Sequence, residues 1–233
     1  MFFFDPLYLV FALPALLFGL WAQWRVRAAL NKYGEVGVGS RFSGAEIARR
    51  ILDANGLRNV QVEVAQGFLS DHYDPQAKAL RLSPEVYQGR SLAAAGIAAH
   101  EAGHALQDQT SYLPLHFRSL MVPAVQIGSW LGPILFMVGL FTTSLFGSSL
   151  AWIGLLLFAG TAVFALVTLP VEYDASRRAK ELLSSHGLVL SSDMQGINAV
   201  LNAAALTYVA AAAQAVSTLL YYGFLLSGIR QEE

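Results

Sequence analysis

Two histidines and a glutamate form a short pattern near the middle of the chain. The stretch Ala98–Gln107 reads AAHEAGHALQ, so His100, Glu101 and His104 spell H-E-x-x-H. On a helix, side chains four positions apart lie on the same face, one turn above the other. Two imidazoles placed in this way reach one metal ion at about 2.0–2.1 Å, and the glutamate between them lies beside it as a proton acceptor. The pattern therefore predicts a zinc site with Glu101 as the catalytic general base.

The third metal ligand must come from elsewhere in the chain. A catalytic zinc site takes three protein ligands and keeps one position open, and without cysteine the third is a histidine or a carboxylate. Glu172 is the stronger candidate, because it follows a long apolar stretch and is predicted to lie at the start of a helix. Asp174 is the alternative, about 200° further round that helix, so we expect only one of the two to face the metal. Both carboxylates could instead be exposed and paired with arginines.

Two neighbouring residues are candidates for stabilising the charge that develops during hydrolysis. His72 and Tyr73 lie in the sequence DHYDP. Either side chain could donate a hydrogen bond to the oxyanion that forms when water attacks a carbonyl. For His72, a turn between two strands is an equally good interpretation.

Small residues surround the two histidines. Gly103 lies inside the predicted helix, where glycine costs about 1 kcal/mol relative to alanine and so indicates a packing or functional reason. We expect another part of the backbone to approach the helix closely here. The small residues are Ala98, Ala99, Ala102, Gly103 and Ala105.

The composition is that of a chain with much of its surface in lipid. Of 233 residues, 55% are hydrophobic and only 13% are charged. An ordinary soluble domain carries about 25% charged residues, roughly twice this share. The net charge of -1 provides no basic field for nucleic acid, which excludes that partner.

Four apolar stretches are long enough to cross a bilayer, which takes roughly 20 residues. Basic residues follow the first stretch, precede the second and follow the third, whereas the loop FTTSLFGSSL between the second and third carries no charge. The positive-inside rule then places these basic clusters in the cytoplasm and the N-terminus outside, although Arg230 near the C-terminus mildly disagrees. The predicted spans cover residues 6–24, 122–140, 150–170 and 203–226.

The polar segments 25–121 and 171–202 lie on the predicted cytoplasmic side. Their patterns indicate a small α+β unit with a helix, two strands and the H-E-x-x-H helix. The second strand could offer an edge to which an extended peptide adds, or could belong to a plain hairpin. The predicted elements are a helix that begins after Ser43 and ends at Gly56, strands at Val60–Gln66 and Lys78–Ser83, and a helix that begins after Ser91.

The predicted fold class is thus a mainly α membrane protein, with about four transmembrane helices and a small cytoplasmic α+β, zincin-like unit. That unit is expected to hold a two-stranded sheet beside the H-E-x-x-H helix. We expect residues 1–233 to form a single membrane-embedded metallopeptidase domain.

The chain resembles the YugP-like neutral zinc metallopeptidases of bacterial membranes over nearly its whole length. The resemblance implies a bacterial cytoplasmic-membrane peptidase with zinc, and it supplies no defined substrate. More distantly, the chain resembles the HtpX-type gluzincins and the CAAX-processing proteases, in which a glutamate of E-x-x-x-D is the third ligand. Carried over, this assigns the ligand position to Glu172 and places Ser176 where those proteins have the aspartate. The motifs that carry the resemblance are LSDHYDPQAKALRLSPEVY, AAHEAGHALQDQ, LPLHFRSLMVPAV, LPVEYDASRRA and VLNAAALTYVAAA.

These observations favour a membrane-bound zinc endopeptidase that cuts membrane-associated proteins or peptides at the cytoplasmic face. An intramembrane protease is one alternative, because Leu92–Leu106 is apolar, although this run is short for a span and contains three ionisable groups. A non-catalytic scaffold with a structural metal site is another. The sequence leaves homo-oligomerisation open.

Overall fold

The computed structural model of the protein describes residues 6–67, 70–142 and 145–229. Within these residues the chain is mainly helical, with one small sheet. The helices are α1 (Pro6–Gly34), α2 (Gly44–Ala54), α3 (Pro84–Gln88), α4 (Leu92–Gln109), α5 (Leu113–Phe141), α6 (Leu145–Ser185) and α7 (Met194–Ile229), and the strands are β1 (Gln61–Val64), β2 (His72–Asp74) and β3 (Ala79–Leu82).

Four of these helices, α1, α5, α6 and α7, are long and apolar enough to cross a membrane. Together with the small sheet they confirm the predicted fold class. Each helix contains one of the four predicted spans and extends beyond it at one end or both. The basic residues that follow the first predicted span therefore lie on α1 itself. Arg230 and part of the uncharged loop fall outside the described residues.

The chain divides into two compact units. The first, here called the helical unit, comprises the described residues of Met1–Trp21, His116–Leu169 and Thr207–Glu233. The second, here called the sheet unit, comprises Ala22–Leu115 and Pro170–Leu206. The sheet unit contains the sheet, the H-E-x-x-H helix and the part of α6 from Pro170 onward, so it contains every candidate site residue.

Local signals in the sequence fix the ends of two helices in the sheet unit. The Ser43 hydroxyl accepts a hydrogen bond from the Glu46 amide, and the Glu46 carboxylate accepts one from the Ser43 amide. This reciprocal capping satisfies two backbone donors that an isolated helix start leaves unpaired. Gly56, just past the end of α2, has a φ of +78°, which favours glycine. At the start of α4 the Ser91 hydroxyl accepts a single hydrogen bond, from the Ala94 amide.

Within the described residues the sheet has three strands rather than the two that the sequence predicts. The additional strand, β2, contains the central three residues of the segment DHYDP, for which a turn was one interpretation. The strand order is β1-β3-β2, with β1 parallel and β2 antiparallel to β3. Consequently β3, which contains most of KALRLS, is the central strand and offers no free edge to a peptide. The free edges of the described sheet belong to β1 and β2.

The helix α6 is continuous through Pro170, so the prediction that Glu172 lies at the start of a helix is wrong. Proline lacks an amide donor and usually breaks helices in water. Membrane helices tolerate it because neighbouring helices and local adjustments satisfy the freed backbone group. Glu172 and Asp174 therefore project from the interior of one long helix.

A single hydrophobic core surrounds α4 in the sheet unit. Fully buried side chains from α2, β3, α6 and α7 pack around the alanine-rich helix, and α4 itself contributes buried residues on most of its turns. A helix that is apolar nearly all round is either buried in a protein core or crosses a membrane. In this protein it is the buried core helix of the sheet unit. The largest core side chains are Ile47, Ile51, Leu52, Leu80, Leu82, Leu183 and Ile197.

Candidate metal centre

Three side chains from two helices meet in the sheet unit. His100 and His104 lie one turn apart on α4, and Glu172 faces them from α6. One ligand atom from each of the three lies within 4.8 Å of the others. Glu172 Oε2 is 3.1 Å from His100 Nε2 and 3.5 Å from His104 Nε2. The structure thus brings together two imidazoles and one carboxylate, the nitrogen and oxygen donors of a zinc site.

Both imidazoles direct Nε2 toward the glutamate because Nδ1 has another partner. His100 Nδ1 lies 3.1 Å from the Ser176 hydroxyl, and His104 Nδ1 lies 2.9 Å from Gln107 Oε1. Histidines that bind metals usually hold their second nitrogen in this way, which fixes the orientation of the ring. The donor set and these supporting contacts both fit a zinc ion held by the two Nε2 atoms and the Glu172 carboxylate.

The close approach of α4 and α6 depends on Gly103. A Cβ atom at this position would lie 2.7 Å from the Ala175 carbonyl oxygen. Such a distance is too short for contact between carbon and oxygen, so a side chain would push the two helices apart. This explains why a glycine stands inside α4 between the two histidines despite its low helix propensity. Gly103 thus leaves space for the helix that carries Glu172.

The electrostatics of the cluster favour a positive charge between its members. Burial alone would raise the pKa of the Glu172 carboxyl, but hydrogen bonds from His100 and His104 outweigh burial and hold that pKa well below its usual range. Burial alone would lower the pKa of His104, but the hydrogen bond to Glu172 and the charge of Glu101 outweigh it and raise that pKa. A pair of buried carboxylates that attracts a proton in this way also attracts a divalent cation.

Glu101 lies next to the first histidine on α4. Its side chain is buried, with 9% of the residue exposed. Its charge contributes to the raised pKa of His104, and among the described residues it is not one of the three converging groups. The role of Glu101 as general base stays a prediction.

Asp174, the alternative third ligand, lies outside the cluster. Its carboxylate forms ion pairs with Arg177 and Arg178 and accepts a hydrogen bond from Gln107 Nε2 at 3.0 Å. The expected pairing with arginines therefore applies to Asp174, while Glu172 is 2% exposed and faces the histidines.

His72 and Tyr73 lie on β2, and the structure joins neither side chain to the cluster by a described contact. His72 is exposed, and its Nδ1 lies 2.7 Å from the Ser70 carbonyl oxygen. The Tyr73 hydroxyl donates to Asp108 Oδ2 at 2.7 Å, and Lys78 Nζ pairs with the same oxygen at 2.5 Å. Burial and the bond to Asp108 raise the pKa of Tyr73. Tyr73 and Lys78 thus attach the sheet to the C-terminal end of α4.

Gln107 is the residue at this centre that sequence reasoning missed. A signal was present, because Gln107 follows His104 by three positions and so lies on a neighbouring part of the same helix face. Glutamine is common in helices for other reasons, however, and its partner on α6 is far away in sequence.

With this geometry established, comparison with known proteins identifies the family. Residues 8–227 match the family described as "Putative neutral zinc metallopeptidase". The chain belongs to this family. It is also 44% identical over 226 residues to the "Putative membrane protease YugP" of Bacillus subtilis (strain 168), an alignment that covers 97% of this chain and 99% of that protein. No solved structure gives a significant match.

The comparison confirms the resemblance that the sequence motifs indicate, and it confirms zinc as the cofactor. The family description names the metal, and the cluster of His100, His104 and Glu172 offers three donors for it. The four apolar helices agree with a protein of the membrane, as the name of the relative also states for that relative.

Proposed function

We propose that this protein is a membrane-bound zinc endopeptidase in which His100, His104 and Glu172 hold the metal. The observation that carries this proposal is the convergence of the three side chains within 4.8 Å, with Ser176 and Gln107 on the outer nitrogens of the two histidines. A site with three protein ligands leaves one coordination position open, which is the arrangement of catalytic rather than structural zinc.

Glu101 is the general base and then the general acid in this proposal. When bound, zinc would act as a Lewis acid that polarises the scissile carbonyl and lowers the pKa of a bound water to about 7. The Glu101 carboxylate accepts a proton from the attacking water as its oxygen bonds to the carbonyl carbon. It then gives that proton to the amide nitrogen as the carbon–nitrogen bond breaks, so a carboxylic acid and an amine are released.

We place the site at the cytoplasmic face of the membrane. Arg118 and the basic residues near Arg25 and Arg177 fall on the same side if the first three spans alternate, and the positive-inside rule assigns that side to the cytoplasm. Glu172 follows the third predicted span by two residues, which favours substrates that are membrane proteins or unfolded segments near the bilayer surface. For a bacterial protein the membrane is the cytoplasmic membrane.

Cleavage outside the hydrocarbon region is favoured over cleavage within it. The intramembrane alternative treats the apolar run Leu92–Leu106 as a span, but α4 is not among the helices that are long and apolar enough to cross a membrane in the described chain. It is the core helix of the sheet unit, where apolar side chains surround it and Asp108, near its end, forms an ion pair with Lys78.

The decisive experiment separates the base from the metal ligands. Glu101→Gln should retain stoichiometric zinc and lose proteolysis by a factor of about 10²–10⁴, because the carboxylate transfers protons without holding the metal. Glu172→Ala should lose zinc as well as activity. Glu85→Gln, the same change at an exposed glutamate of the sheet unit, is the control and should behave as the unsubstituted protein.

The measurements are the zinc content of the purified full chain and the membrane proteomes of cells that carry each form. Substrates should accumulate in cells with Glu101→Gln and not in cells with Glu85→Gln. If Glu101→Gln keeps zinc and full biological activity, the protein is a scaffold with a structural metal site and the proposal fails. Unchanged zinc affinity in Glu172→Ala would direct the search for the third ligand to Asp174.

The absence of cysteine allows a direct test of orientation. Single cysteines placed at Gln76, on the exposed turn between β2 and β3, and at Ser149, near the start of α6, provide the only thiols in each variant. A membrane-impermeant thiol reagent applied to intact spheroplasts should label Ser149→Cys and spare Gln76→Cys, and lysis should make the second reactive. The reverse pattern would place the site outside the cell.

A further inference from the structure

Gln107 is the most deeply buried polar side chain beside the candidate metal centre, with 0% of the residue exposed. Its amide touches two helices at once. Gln107 Oε1 is 2.9 Å from His104 Nδ1, and Nε2 donates to the Val171 carbonyl at 2.8 Å and to Asp174 Oδ2 at 3.0 Å. Each described hydrogen bond of this buried amide therefore goes either to His104, a candidate metal ligand, or to α6, the helix that carries Glu172.

The surroundings permit only one orientation of this amide. The Val171 carbonyl oxygen can only accept a hydrogen bond. Asp174 forms ion pairs with Arg177 and Arg178, so its carboxylate also accepts. If the amide were rotated by 180°, its oxygen would face these two oxygens and both hydrogen bonds to α6 would be lost in a buried site, which is costly. The NH₂ group therefore points to α6 and Oε1 points to His104.

The orientation of the amide decides which nitrogen of His104 carries the proton. Gln107 Oε1 has no hydrogen to donate, so the bond to His104 is formed only if Nδ1 is the protonated nitrogen. In the neutral ring the lone pair then lies on Nε2, which faces Glu172. A metal ligand must offer this lone pair, and the wrong tautomer would have to rearrange before metal could bind.

We propose that Gln107 is a positioning residue that holds His104 in its metal-binding tautomer and orientation, and that the Val171 carbonyl and Asp174 hold Gln107 in turn. This inference rests on the proposed function, since it takes His104 to be a zinc ligand. Asp174 then contributes to the site by fixing the amide of Gln107, which in turn fixes His104.

The partners of Nδ1 differ between the two histidines in whether they select one tautomer of the ring. The partner of His100 is the Ser176 hydroxyl, at 3.1 Å from Nδ1. A hydroxyl both donates and accepts, so it fits either tautomer of His100 and selects neither. Gln107 selects one. Removing Gln107 should therefore weaken zinc binding more than removing the Ser176 hydroxyl.

The test compares two glutamines on α4 in the full chain in detergent. Gln107→Met preserves an unbranched side chain of similar length and removes the amide. Loss of an outer partner of a ligating histidine typically weakens metal binding about 10- to 100-fold, and we expect that increase in the zinc dissociation constant, measured by competition with a chromophoric chelator. Gln109→Met, the same change at an exposed position that bonds only to the Asn55 carbonyl among the described contacts, should leave the constant unchanged.

A double-substitution cycle tests whether Asp174 acts through Gln107. Asp174→Ala should weaken zinc binding by a smaller factor than Gln107→Met, because the Val171 carbonyl still holds the amide. The double variant should bind zinc no more weakly than Gln107→Met alone. Multiplied effects would show that Asp174 acts on the metal by its charge, and the second step of the proposal would fail.

Spectroscopic signatures separate positioning from general loss of stability. The visible spectrum of the cobalt-substituted protein should change in Gln107→Met and not in Gln109→Met, with thermal unfolding of the metal-free proteins recorded alongside. If Gln107→Met does not fold, nitrogen NMR of the zinc-loaded, histidine-labelled wild-type chain decides the question. His104 should show a protonated Nδ1 and a metal-bound Nε2, and a metal-bound Nδ1 would overturn the inference.

The outcomes also distinguish this inference from the proposed function. If the wild type binds zinc, Glu172→Ala abolishes binding and Gln107→Met binds like the wild type, the positioning role is wrong and the proposed ligand set stands. If His104→Ala and Glu172→Ala both retain wild-type zinc affinity, the proposed site itself is wrong.

Discussion

Apolar side chains point inward in the sheet unit and mostly outward in the helical unit. The sheet unit encloses a large cluster whose members, such as Ile51 and Leu80, have no exposed surface. The helical unit has a small cluster around Phe136, which stacks on Tyr222 with ring centroids 4.1 Å apart. Most of the exposed large hydrophobic side chains belong to the helical unit.

From this difference we propose that the helical unit lies in lipid and the sheet unit in water. In water, a core gains stability by removing apolar surface from the solvent, so a small α+β unit needs one dense interior. In lipid, outward apolar side chains cost nothing, and helices associate through close packing of small residues. Gly132 and Gly154 illustrate this in the helical unit, where an added Cβ would meet the backbone of the opposite helix at 3.0 Å or less.

Truncation of an apolar side chain should therefore have the largest effect in the sheet unit. Ile51→Ala removes a fully buried side chain and should lower the free energy of unfolding by about 2–5 kcal/mol. Leu156→Ala, at a residue of α6 that is 68% exposed, should change it by less than about 0.5 kcal/mol. Denaturant unfolding of the full chain in detergent micelles measures both. Equal losses would contradict the assignment of the two units to different solvents.

For charged substitutions we expect the reverse, with the larger effect in the helical unit. Leu156→Arg places a charge on the surface that we assign to lipid and should oppose insertion by about 2.5–3.5 kcal/mol. Val64→Arg, at a half-exposed residue of β1, should be tolerated. The readout is the fraction of each variant recovered in the membrane after expression.

Close contacts between helices through glycine occur in both units, and replacing such a glycine should have a smaller effect on stability. Gly103→Ala would place a Cβ 2.7 Å from the Ala175 carbonyl oxygen, and overpacking of this kind costs about 1–3 kcal/mol. Because the displaced helix carries Glu172, zinc affinity should fall as well. Gly96→Ala is the matched control on the same helix, since its Cβ would meet nothing closer than 3.4 Å.

The two glycine substitutions should change the stability of the protein in opposite directions. Alanine has the higher helix propensity, so Gly96→Ala should leave zinc binding unchanged and stabilise the protein by up to about 1 kcal/mol. Thermal unfolding and zinc titration of both variants provide the comparison. A Gly103→Ala protein with wild-type stability and zinc affinity would show that α4 and α6 can move apart without consequence for the site.

The sequence by itself determined the features of this protein that depend on near neighbours. His100 and His104 share a helix face because residues four apart always do, and Ser43, Gly56 and Ser91 mark helix ends through bonds to adjacent backbone groups. The apolar stretches gave the fold class in the same way, since length and composition decide whether a helix can cross a bilayer. The strands β1 and β3 followed from their alternation of apolar and polar residues.

Only the tertiary structure decided which distant groups meet. The strand β2 was missed because DHYDP has the composition of a turn and becomes a strand only by pairing with β3. Whether Glu172 or Asp174 faces the histidines depends on how α6 is rotated against α4, and in the structure Glu172 faces them. Gln107 gained its place beside His104 through partners 64 and 67 positions away on α6. Spacing along the chain fixes neighbours within one helix, but packing between helices fixes the rest.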